Sequence, residues 1–149
     1  MGLGPLESDG MTDDDFRVDG IDHVALTVPD RGEAAEWYAD VLGLERLEDY
    51  DLWADPGGPL VVSSDGGETM LALSAGSREE PELRHLAFRT DGEGFLTCVD
   101  RLAARPDVAV EGRGDVVDHD LSYSVYFEDP YGHRFEVTTY DYERVAAGL

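Results

Sequence analysis

The chain has 149 residues, and its 34 Asp and Glu face only 11 basic residues, a formal net charge of −23. That length is about one domain, and no apolar run reaches the ~18–20 residues that a membrane span needs. The acidity argues against nucleic acid and anionic membranes as partners, because both need positive charge to neutralise phosphate.

The kind of charge says more. All 11 basic residues are Arg, Lys, Asn and Gln are absent, and Asp (20) outnumbers Glu (14). An acidic, Lys-free surface suits concentrated salt, where the Debye length falls to ~3 Å near 1 M and self-repulsion is screened. A GC-rich genome accounts for Arg in place of Lys but not for the Asp excess. A halophilic cytoplasm is therefore the expected setting, and the start of the chain has neither the basic nor the apolar stretch of a signal peptide. Cys98 is the single cysteine, which excludes an internal disulfide and a multi-Cys zinc site. It falls at an apolar helix position and reads as a buried structural thiol.

Residues 1–17 read as a disordered acidic tail with little to bury. A strand follows over Ile21–Val28, with Val24, Leu26 and Val28 alternating. Asp30 then opens a helix, with Glu33 three residues on as in a capping box. Ala34, Tyr38, Val41 and Leu42 mark one helical face, and Gly43 supplies the stop. Three strand-like runs come next, about 45–53, 59–63 and 69–74, separated by Pro- and Gly-rich turns. The pattern then restarts. Leu83–Thr90 is a strand, with His85 where the first strand had His23. A helix with Phe95, Val99, Leu102 and Ala103 on one face ends before Pro106. Strand-like runs follow at about 108–113, 123–128 and 133–139, and His133, in the turn before the last of them, is expected at the surface. Residues 141–149 read as a C-terminal tail.

The chain is thus β-α-β-β-β written twice, an α+β domain over 18–140 with modules at about 19–76 and 82–140. Matched histidines in two equivalent strands are the most informative feature. Residues two apart on a strand share a face, so His23 and His85 each oppose the apolar alternates that pack on the helices. The last strand of the second half places Glu136 between Phe135 and Val137, and the equivalent position in the first half is Ala72. Two imidazoles and one carboxylate at symmetry-related places suit a divalent metal. The set is the non-haem Fe(II) pattern, with Zn(II), Mn(II) and Ni(II) open as alternatives.

Four segments, Ile21–Asp30 (IDHVALTVPD), the helix end WYADVLGL, Leu83–Phe88 (LRHLAF) and Tyr126–Val137 (YFEDPYGHRFEV), together resemble the vicinal oxygen chelate superfamily. Its members include glyoxalase I, extradiol dioxygenases, fosfomycin resistance proteins, methylmalonyl-CoA epimerase and bleomycin resistance proteins. The resemblance covers about residues 19–140. It implies two tandem βαβββ modules forming a curved eight-stranded mixed sheet around a metal cavity, with ligands at His23, His85 and Glu136. It also implies a small-molecule substrate and a homodimer, since paired modules often come from different chains.

Departures from the family's patterns narrow the reaction. Glyoxalase I enzymes carry a fourth ligand, usually Glu, in the strand that here carries Ala72, so the carboxylate base is missing there. Fosfomycin transferases bind the phosphonate with a Lys, which this chain lacks. Extradiol dioxygenases use His/His/Glu with a Tyr ten residues before the Glu, and Tyr126 stands there. Their acid/base His would fall near Met70; His119, in the loop before the 123–128 strand, is the candidate substitute. The leading expectation is an extradiol-type dioxygenase using one divalent metal, with Tyr126 and His119 as catalytic groups. A glyoxalase-type isomerase or epimerase and a bleomycin-resistance-like binding protein are the alternatives.

Overall fold

The computed structural model describes residues 16–77 and 83–149. The tail expected over 1–17 lies outside the described residues as far as residue 15. The first module runs β1 (Val24–Val28), α1 (Arg31–Leu42), β2 (Glu45–Arg46), α2 (Asp51–Ala54), β3 (Leu60–Ser63) and β4 (Met70–Ala75). The second runs β5 (Leu86–Arg89), α3 (Gly92–Ala103), β6 (Val117–Asp118), β7 (Tyr123–Glu128) and β8 (Arg134–Thr139), followed by α4 (Tyr142–Gly148).

Both long helices start and stop for local reasons. The Asp30 carboxylate accepts from the Glu33 N–H and caps α1, while Gly43, at φ 71, closes it in the left-handed conformation that glycine adopts without strain. Asp91 caps α3 in the same way through the Gly94 N–H. The buried residues include Ala34 and Tyr38 on α1 and Phe95, Val99 and Leu102 on α3, on the faces that their spacing predicts.

The α+β class and the two tandem βαβββ modules are as expected. The eight strands form two four-stranded sheets, ordered β1-β4-β3-β2 and β5-β8-β7-β6. Each first strand pairs parallel with the last of its module, and the other pairings are antiparallel. β1 and β5 are therefore edge strands, each with one side of its backbone unpaired within these sheets.

Three segments depart from expectation. Of the run at 45–53 only Glu45–Arg46 is a strand; a 3-10 turn (Glu48–Tyr50) and α2 follow. Residues 47–54 contain no β-branched side chain to favour a pleated backbone. The run at 108–113 buries Val108 and Val110 but forms no strand. Gly112 and Gly114 break it, and the pairing resumes at β6 after a 3-10 turn (Arg113–Asp115). The expected C-terminal tail carries α4, which buries Val145 and pairs Arg144 with Glu93 of α3 at 3.0 Å.

One apolar cluster spans both modules, from Leu26, Tyr38 and Leu73 to Phe95, Val125 and Phe135. The Tyr38 and Phe135 rings meet edge-on at 5.8 Å. Tyr38 Oη donates to Asp129 at 2.5 Å, and the other Asp129 oxygen accepts from the Tyr131 and His133 N–H groups. His133 is buried rather than on the surface. Its Nε2 lies 2.9 Å from the Thr27 carbonyl oxygen, so the turn between β7 and β8 is held against β1. No helix among the described residues is long and apolar enough to cross a membrane.

Candidate functional site

The register of the two sheets sets the site. In the first module Ala25 pairs with Ala72, and Val61 with Ala72. In the second, Ala87 pairs with Glu136, and Tyr126 with Glu136. Ala72 and Glu136 are thus equivalent positions. Cross-strand partners share a face, so Glu136 and Tyr126 stand side by side on the face opposite the core residues Phe135 and Val137. The turn between β7 and β8 keeps this register across all six residue pairs.

Each module's histidine sits one residue before its first strand. His85 Nε2 lies 2.9 Å from Glu136 Oε1, with the carboxylate mostly buried and the imidazole partly open. The second carboxylate oxygen accepts from Ser124 Oγ at 2.6 Å. Ser124 is fully buried, and its Oγ is 3.0 Å from Thr138 Oγ1, whose own hydroxyl donates to the Tyr123 carbonyl. Glu136 is therefore held at both oxygens, one by His85 and one by the buried Ser124 hydroxyl.

Tyr126 connects this pair to a second one. Its ring meets His85 edge-on, with centroids 6.2 Å apart, and its Oη lies 2.9 Å from His119 Nε2. Burial and then the negative charge of Glu136 push the Tyr126 phenol above its ordinary range. It stays protonated at neutral pH and can donate a hydrogen bond. His119 is placed by the hairpin between β6 and β7, where its N–H donates to the Ser122 carbonyl.

The structure thus brings together His85, Glu136, Tyr126 and His119. It does not bring His23 to them. His23 Nδ1 pairs instead with Asp22 at 2.9 Å, and both side chains are exposed. Among the described residues no group of three or more His, Cys, Asp or Glu side chains is arranged to hold a metal ion. The chemistry of the His85–Glu136 pair does fit one. An imidazole nitrogen and a carboxylate oxygen 2.9 Å apart are donor types that divalent metals such as Fe(II), Zn(II) and Mn(II) take. Ser124 is the residue that sequence reasoning missed. Its signal was available, since it lies two residues before Tyr126 and so shares its face. Cys98 is partly buried, and burial pushes its thiol up to about 11, as a structural cysteine requires.

The chain matches the Glyoxalase/Bleomycin resistance protein/Dioxygenase superfamily over residues 20–137. It belongs to this superfamily of metalloenzymes. Among solved structures it is similar to an integron cassette protein from the mobile metagenome of the Halifax Harbour sewage outfall, with 24% identity, 82% of this chain and 99% of that one covered, and a TM-score of 0.65. It is similar to the oxidase ChaP-H2, with 24% identity, coverage of 83% and 94%, and a TM-score of 0.59. It is also similar to a fosfomycin resistance protein, FosX, from Listeria monocytogenes, solved with Mn(II) and 1S,2S-dihydroxypropylphosphonic acid. There the identity is 19%, the coverage 87% and 96%, and the TM-score 0.58. At these identities the likeness shows the fold. No curated protein matches the chain in sequence.

Proposed function

We propose that this chain is a divalent-metal-dependent enzyme acting on a small molecule with neighbouring oxygens, by extradiol-type dioxygenation. One observation carries the reading: a His–carboxylate pair, His85 and Glu136, adjoins a phenol–imidazole pair, Tyr126 and His119. The first pair suits metal ligation and the second suits proton handling. The similarity to an oxidase and to a metalloprotein solved with Mn(II) and a diol phosphonate supports it.

When bound, the metal supplies Lewis acidity, lowering the pKa of a chelated hydroxyl. The chain's own residues do the rest. His85 and Glu136 present the ligand atoms, and Ser124 fixes the rotation of the Glu136 carboxylate. Tyr126 donates to a substrate oxygen. His119, whose Nε2 lies 2.9 Å from the Tyr126 hydroxyl, takes or returns the proton of the substrate hydroxyl. Fe(II) suits this donor set, and O₂ is the co-reactant.

The third ligand is the partner subunit's His23 in a homodimer. The unpaired edges of β1 and β5 support this, because two copies can join first module to second along them. Elemental analysis of the native protein tests the reading. It should show about one divalent metal per chain, and oxygen uptake with a catechol panel should follow if the metal is iron. Metal-free native protein overturns the proposal. Metal without oxygen uptake favours the isomerase or epimerase class, in which the missing carboxylate at Ala72 is the obstacle.

A further inference from the structure

Eleven arginines face 34 acids in this chain, and several of the described arginines are engaged. Arg46 pairs with Asp51, Arg105 with Asp40 and Asp107, Arg113 with Asp100 and Arg144 with Glu93. Arg31 donates to the carbonyls of Ala54 and Gly58. Four others, Arg84, Arg89, Arg101 and Arg134, have no hydrogen-bond or ion-pair partner among the described residues, and Arg89 lies over the Tyr140 ring. Arg84 and Arg134 are the two of these that line one cleft with His85 and Tyr126.

The acids of that cleft do not account for the two cations. Asp107 is taken by Arg105 and by the Trp37 indole N–H. Asp129 is buried and satisfied by Tyr38 and two turn N–H groups. Glu128 stands across the ladder from Arg134, yet the two form no ion pair. Among the described residues, two guanidinium groups in the cleft of the candidate site are therefore left without an acid.

Electrostatics gives them a use. In so acidic a chain, holding an anionic substrate takes cations placed at the site itself. A neutral substrate takes none. The planar guanidinium fork matches carboxylate and phosphonate oxygens two at a time. Arg134 lies two residues before Glu136 on β8, hence on the same face and about 6.5 Å along it. That distance is about the width of one aromatic ring.

We infer that the substrate carries a terminal anionic group, a carboxylate or a phosphonate, held by Arg84 and Arg134 about one ring's width from its neighbouring oxygens. The inference rests on the metal-enzyme reading and narrows its substrate to an anionic catechol or diol of that span.

The test is anaerobic calorimetry on metal-loaded protein with catechol, 3,4-dihydroxybenzoate and 3,4-dihydroxyphenylphosphonate. The wild type should bind at least one anionic probe about tenfold or more tighter than catechol, the size of one charge-assisted hydrogen bond. The preferred probe then says which anion the site takes. An Arg84→Gln/Arg134→Gln double variant should lose that gain and keep its affinity for catechol. Equal affinities in the wild type, or a gain that survives in the double variant, overturn the inference. An Arg-dependent anionic probe binding where catechol does not bind at all keeps the anion site and overturns the metal reading instead. Glu128→Gln gives a second reading if the double variant fails to fold. Removing the unpaired acid of the cleft should tighten the anionic probes and leave catechol unchanged, and no tightening overturns the inference.

Discussion

In the first module the ladder sets Val61 opposite Ala72; in the second it sets Tyr126 opposite Glu136. The strand order is the same and the pairings around these positions correspond, whereas β2 meets the end of β3 and β6 the start of β7. The apolar faces of both modules serve one shared core, so the packing constraint is common to the two. The opposite faces have no such common duty. One keeps Ala25, Val61 and Ala72, with the buried hydroxyl of Ser63, while the other gathers a carboxylate, a phenol, the buried hydroxyl of Ser124 and two imidazoles. The repeated scaffold thus gathers these polar groups in one module, while the other carries the matching His23 apart from them.

Charge separates the modules too, and here the largest effect is expected. Residues 19–76 hold 13 acids and two arginines, whereas residues 82–140 hold 12 acids and six arginines. If the acidity is an adaptation to salt, lowering it from ~1 M to ~0.01 M lengthens the Debye length from about 3 to about 30 Å and exposes that repulsion. The far-UV circular dichroism should fall, and hydrogen exchange should show α1 and β1 losing protection before α3 and β8. An unchanged spectrum in millimolar salt removes the salt-adaptation reading. Simultaneous loss in both modules removes the charge contrast between them.

The next effect is local. Glu136→Ala makes the second module like the first at the one position where they differ most. Metal content, by elemental analysis, should fall to about a tenth or less of wild type, since even orienting groups behind a ligand are worth 10–100-fold in affinity. Ala72→Ser at the mirror position should leave metal content unchanged. Equal metal content in wild type and Glu136→Ala would show that the carboxylate is structural.

Smaller again is the tie between the modules. Tyr38→Phe keeps the ring against Phe135 but removes the hydroxyl from the buried Asp129 carboxylate. Two turn N–H groups remain on Asp129, so the expected cost is about 1–3 kcal/mol, read from the denaturation midpoint at constant slope. No change would mean that the turn between β7 and β8 is positioned by its own backbone alone.

These contrasts follow how the site could be read from the residues. The period-two runs, the helical faces and the repeat of His23 at His85 located eight of the elements, six strands and two helices, and made Ala72 and Glu136 equivalent. Strands of two residues, such as β2 and β6, have no period to read. α4 has one buried anchor, Val145, and its helix depends on packing against α3 rather than on a pattern of its own. His133 sits in a Gly- and Pro-containing turn, and its burial comes from a carbonyl of β1 that is 106 residues away in sequence. His23 is the instructive case. The repeat marks it as a ligand, but the single chain leaves it beside Asp22. Strand alternation gives a residue's face, not which side chains of the two modules meet.

The smallest effect lies in a pair of matched turns. The β7–β8 turn is organised by buried Asp129, and the β3–β4 turn by exposed Asp65. Asp65 Oδ1 accepts from the N–H groups of Glu68 and Thr69 and from Ser63 Oγ. These donors, the Thr69 N–H foremost, lower its carboxyl from the usual 3.8 to about 2. A folded-state value below the unfolded one means that the carboxylate form is favoured by folding. Its contribution is present in full above the ordinary carboxylate range and is lost as pH falls through about 2. Wild type should thus exceed Asp65→Ala in stability near neutral pH by a small margin that closes in acid. Tyr38→Phe should keep its deficit under neutral conditions whatever is done at Asp65, because the two turns share no partner and distant changes add. A carboxyl resonance of Asp65 titrating near 4 would remove this account. The first module's turn would then be held by its glycines, Gly66 and Gly67, both at positive φ, rather than by its aspartate.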